Sequence, residues 1–189
     1  GYQSDYNVID TITLLNNEID FPNIWTTLRG GGYIGFSDSD YNSINNSIIE
    51  LNDIRIEGAI EGGLGIGFDR SDNSNISNSI INNNLFDVNN VLGGGGIGVH
   101  DSCDNIKIEN SLISNNDLDT GDSIAGAGML GAYSNSDFIT FINNTIKNND
   151  IYTPNQVWGG GVVGLSDGCD NSIFNDTIVE DNQVTAENN

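Results

Sequence analysis

The sequence predicts an all-β solenoid, a parallel β-helix of about 5–6 coils of ~32 residues each. Three observations predict it. The chain of 189 residues is rich in strand-forming Ile (26) and in the turn formers Asn (31) and Gly (24). A Gly-rich block recurs five times at nearly constant spacing. A second, Asn- and Ile-rich block recurs in step with it. Repeats at such a period mark a solenoid, in which each coil buries its apolar face only by stacking on the next.

The Gly blocks are 30–36, 62–68, 93–99, 125–132 and 159–165. Their aligned glycines are Gly35, Gly67, Gly98, Gly131 and Gly164, spaced by 32, 31, 33 and 33 residues. Recurrent Gly at one position points to positive φ or close backbone approach. The second block occurs at 45–52, 77–84, 109–116, 143–150 and 175–182, with a sixth copy at 13–20. Its aligned apolar residues read Leu14, Ile48, Ile80, Leu112, Ile146 and Ile178. Each period holds three short apolar stretches, such as 96–99, 106–108 and 112–113. These are too short for helices, and Ile106-Lys107-Ile108 alternates with a strand period. At the usual strand spacing the rod is roughly 27 Å long. Residues 11–189 form this single domain. Residues 1–10 read as a separate N-terminal segment able to pair as a strand with a neighbour.

Several rows carry candidate chemistry. Asn46, Asn78, Asn110 and Asn144 recur and are expected to form an amide ladder, as stacked Asn does in cross-β structures. An acidic turn follows each Gly block, with Asp38 and Asp40, Asp69 and Asp72, Asp101 and Asp104, Asp137, and Asp167 and Asp170. Stacked carboxylates repel, and a hard cation with oxygen ligands relieves that, so calcium is the expected cofactor. Asn45, Asn75, Asn143 and Asn175 stand in Asn-x-Ser/Thr sequons, with Asn45, Asn143 and Asn175 read as one repeat position. Cys103 and Cys169 match but lie two coils apart, too far for a disulfide.

Composition narrows function. Asp plus Glu is 27 against 5 Lys plus Arg, a formal charge of -22. That excludes a nucleic-acid partner, and an anionic membrane surface repels the chain. No stretch has the length of a membrane span. The sequence reads as a mature or excised chain without a signal peptide. Gly-x-Gly-x-x-Gly occurs at 30–35, 93–98, 126–131 and 159–164. Four copies at the solenoid period argue for architecture and against a dinucleotide site.

Gly94-Gly95-Gly96-Ile97 and Gly159-Gly160-Gly161-Val162, with the Asn-ended stretches 80–83, 112–115 and 146–149, resemble the repeats of right-handed parallel β-helix surface proteins. These are the adhesin-like proteins and the polymorphic outer-membrane proteins, although the latter prefer Phe where this chain uses aliphatics. The resemblance implies right-handed coiling and an extracellular or cell-surface location.

Three roles follow as expectations. A polysaccharide lyase needs a cationic base, but Arg29, Arg55, Arg70, Lys107 and Lys147 are scattered in sequence and His100 is the sole His. Its expected coil neighbours are Ser37, Asp69, Tyr133 and Ser166. No catalysis is expected. A glycan-binding adhesin module can use Trp25, Trp158, Phe21 and Tyr152 as aromatic platforms. The favoured role is a structural protein that joins copies of itself head to tail into a filament or surface fibre, because a solenoid leaves strand edges open at both ends.

Overall fold

The computed structural model describes residues 5–21 and 27–187. They form a β-solenoid with no helix, and every strand pair is parallel. Four sheets run along the rod, one more than the three stretches per period expected. Two have six strands, one at each tier, and a third has five. The remaining sheet carries a long strand at three of its tiers, Asp53–Gly63, Leu85–Gly94 and Asp117–Ala127, where the chain bends part-way. A register shift between Val88 and Asn90 marks that bend.

The Gly file is as expected: Gly35, Gly67, Gly98, Gly131 and Gly164 sit in register. The reason is space. A Cβ on Gly67 would fall on the carbonyl oxygen of Gly30 and the nitrogen of Gly63, so only Gly lets the two sheets approach across this tight bend. Gly62, on the facing strand, also has φ of 106°, which L side chains rarely adopt.

The core is a set of vertical apolar files. Ile9, Ile44, Ile76, Ile108, Phe141 and Phe174 form one. The second block differs from the sequence alignment. Ile48, Ile80, Leu112 and Ile178 do align, but with Thr13 and Thr145, on the outer side of their strands. The inward file is Leu14, Ile49, Ile81, Ile113, Ile146 and Val179. Adjacent Ile-Ile pairs hid the phase, and a slip of one residue turns a strand over.

The Val8–Asp10 strand pairs with Ser43–Asn45 of its own chain, and its other edge has no strand partner among the described residues. No helix among the described residues is long and apolar enough to cross a membrane.

Candidate functional site

A continuous amide ladder runs through the rod, but not at the residues expected. Asn46, Asn78 and Asn110 share their file with Asn143, and Asn144 lies one position on. All four file members have φ near +50°, at exposed corners. Asn tolerates this left-handed region, so they are turn residues. Asn46 Nδ2 donates to Asp10, and Asn143 Nδ2 to Asn110 at 2.8 Å, while Asn144 Nδ2 turns inward to the Ile108 carbonyl. The ladder is Asn17, Asn52, Asn84, Asn116, Asn149 and Asn182. From Asn17 to Asn149, each Nδ2 donates to the Oδ1 one tier on, at 2.8–3.0 Å. Each Oδ1 also accepts the backbone N–H of the Asn before it. The signal was present as an Asn within each second block, spaced 35, 32, 32, 33 and 33 residues apart.

The acidic turns divide. Asp40, Asp72, Asp104, Asp137 and Asp170 form a true file, headed by Asp5. Each carboxylate from Asp5 to Asp137 accepts the backbone N–H of the next Asp, at 2.6–3.0 Å. Burial, and then the like charges of Asp40 and Asp104, push Asp72 above the usual carboxylate range, against the pull of the Asp104 N–H. Asp38, Asp69, Asp101 and Asp167 do not continue that file. Asp38 faces Arg70 of the next tier, and Asp69 lies in the row of His100.

Of the sequon residues, Asn45 and Asn175 share a register position, Asn143 lies one place on, and Asn75 begins its strand. Asn143 and Asn175 are exposed, and Asn45 and Asn75 half-buried. Cys103 and Cys169 are free. Each thiol donates to a carbonyl three residues back, and burial pushes both thiols up.

Two neighbouring rows bring ionisable and aromatic side chains together on one face. One runs Arg29, Glu61, Leu92, Ala125, Trp158. The other runs Ser37, Asp69, His100, Tyr133, Ser166, as the sequence spacing implies. The Gly-rich bend between them folds the rows toward each other. Ligand atoms of Glu61, Asp69 and His100 lie within 4.8 Å of one another.

This face gathers the sole His and two of the five Lys and Arg residues. Scattered in sequence, Arg29 and Arg70 are brought onto acids. Arg70 holds Asp38 through two nitrogens at 2.7 and 2.8 Å and reaches the buried Asp69 at 3.1 Å. Its hydrogen bonds and charge hold Asp38 below the usual range. Arg29 Nε is 2.9 Å from Glu61. Asp69 also accepts from Ser37 at 2.8 Å and meets His100 Nδ1 at 2.9 Å. Ser37 and His100 therefore meet through Asp69, whereas an activated serine bonds the imidazole directly. His100 stacks on Tyr133 with ring centres 5.7 Å apart. Beyond it, Tyr133, Trp158, Ser166 and Asp167 line a shallow cleft of about 380 Å³. Tyr152 lies on another strand, Asp150–Thr153. Trp25, the other expected platform, lies outside the described residues, as does the start of the N-terminal segment, 1–4.

Comparison with protein-family models, curated proteins and solved structures finds no match to this chain.

Proposed function

We propose that the chain is a structural solenoid of the extracellular, adhesin-like kind, and that copies of it stack head to tail into a filament or surface fibre. One observation carries this reading: the described end tiers leave their core side chains uncovered. Phe174, Val179 and Val184 are 40%, 48% and 39% exposed, whereas Phe141, Ile146 and Ile151, one tier in, are fully buried. At the opposite end Ile9, Leu14 and Ile19 are only partly buried.

The two ends fit. Continuing the parallel register sets Ile9 of a neighbour on Phe174, Leu14 on Val179 and Ile19 on Val184. The same register sets Asp10 against Asn175, Leu15 against Glu180, Glu18 against Gln183 and Asp20 against Thr185, so no carboxylate meets another on these strands, while Asp5 falls on Asp170 and continues the Asp file across the joint. The ladder has a direction, and its ends match as well. Asn182 Nδ2, which interior counterparts point at the next tier, turns back to the Glu180 carbonyl. A neighbour's Asn17 Oδ1 restores the interior pattern. Covering apolar side chains supplies the driving force, at roughly 25 cal/mol per Å² buried.

Electron microscopy tests this reading, with salt added to screen the charge of -22 on each copy. Rods that lengthen with salt and concentration support it, and uniform short particles throughout overturn it. Calcium belongs to this proposal as a ligand of the Asp40 file through the carboxylate oxygens that face no N–H. A melting temperature that falls on adding a chelator supports it.

A further inference from the structure

We infer that the cleft formed by Tyr133, Trp158, Ser166 and Asp167 is a binding subsite for a neutral saccharide. The inference does not depend on stacking, because a neighbour seated on the strands Ile173–Asn175, Ile178–Glu180 and Gln183–Ala186 leaves this cleft outside the three paired edges.

Trp158 carries the argument. Its file holds Arg29, Glu61, Leu92 and Ala125 at the other tiers, so the fold sets no requirement for an indole there. The side chain is 49% exposed, a large apolar surface left in water. Tyr133, on the facing row, is fixed from behind by its stack on His100. Asp167 and Ser166 stand beside the two rings on the same cleft.

A flat aromatic face next to a carboxylate and two hydroxyls is the complement of a sugar ring. The C–H face of a pyranose covers the indole. Its hydroxyls donate to the Asp167 carboxylate and exchange hydrogen bonds with Tyr133 and Ser166. The volume of about 380 Å³ lies in the range of small-ligand sites. The charge selects the sugar. Asp167 and the net -22 repel uronic and sulfated residues, which leaves neutral hexoses. A longer oligosaccharide runs from Trp158 along the same face toward His100.

The test is calorimetric titration of the full chain with maltohexaose, cellohexaose and mannohexaose, with hexagalacturonate as the charged comparison. Saturable binding of at least one neutral hexamer is expected, with the acidic one weaker. Trp158→Ala should abolish it, and Asp167→Asn should weaken it roughly tenfold. Unchanged melting of the exposed Trp158→Ala variant separates lost binding from lost folding, and Tyr152→Phe, off the cleft, should bind as wild type. No binding by any neutral hexamer overturns the inference, and so does full binding by Trp158→Ala or a preference for the acidic hexamer. None of these outcomes bears on filament formation.

Discussion

Asn84 Nδ2 lies 2.9 Å from Asn116 Oδ1, and this contact is one rung of a directional ladder that runs from Asn17 to Asn182. Asn116 is 1% exposed and saturated. Its oxygen takes both N–H groups of Asn84, and its amide donates to the Ile81 carbonyl and to Asn149. The rung explains how a rod with so much Asn keeps polar groups in its interior: each is paired on both sides.

Asn116→Ala should therefore destabilise the chain by about 3 kcal/mol, since it strands partners in two adjacent tiers. Asn110→Gly, at an exposed corner with φ of 51°, should be near neutral. Urea unfolding of the two variants measures the difference. Equal losses would remove the ladder from the account.

Gly67→Ala should prevent folding, because the added Cβ meets backbone on two sides. Gly121→Ala meets mainly the Asn89 side chain, which can move, and should fold. Circular dichroism and soluble yield decide between them.

Arg70→Gln should cost about 2 kcal/mol by leaving the buried Asp69 short of its cation, less than for a fully buried pair because Arg70 is partly exposed. Adding Asp69→Asn should restore part of the loss. A double-mutant cycle by urea melts tests the coupling, and strictly additive losses would contradict it.

Stability should rise as the solution is acidified from neutral, then fall. Asp72, Asp117 and Asp119 are each raised above the ordinary carboxylate value of 3.8, chiefly by burial and then by neighbouring carboxylates. A raised group adds stability below its unfolded pKa and loses it as pH climbs through the folded one, so these three favour mild acid. Asp38 is lowered, chiefly by its hydrogen bond to Arg70. Its contribution is present above 3.8 and disappears as pH drops through its folded pKa. Melting temperature against pH should peak just above 3.8. A monotonic fall from neutral pH would contradict the assignment.

The fold was legible because its strongest constraint, the absence of a Cβ at Gly67 and its equivalents, leaves a mark that nothing else can replace. The phase of the strands was less legible. Ile48 and Ile49 are both apolar, and only packing decides which faces in. The same ambiguity misled the reading of Asn, which is both a corner residue at Asn46 and a buried rung at Asn84. The corner and the rung stand six places apart in one coil and both recur at the solenoid period. The row of His100 followed from spacing alone. The convergence of Arg29 on Glu61 and of Arg70 on Asp38 and Asp69 did not, because it depends on how long side chains of adjacent tiers are turned, which spacing does not set.

Sedimentation equilibrium over a wide concentration range tests head-to-tail stacking most directly, comparing the native chain with Val184→Lys. The substitution sets a charge on the uncovered end of the core, where a neighbour's Ile19 would rest. The native chain should show mass rising with concentration and salt, and Val184→Lys should remain at 20.2 kDa. A native chain that stays at that mass under every condition, or a variant that associates equally well, would contradict the account.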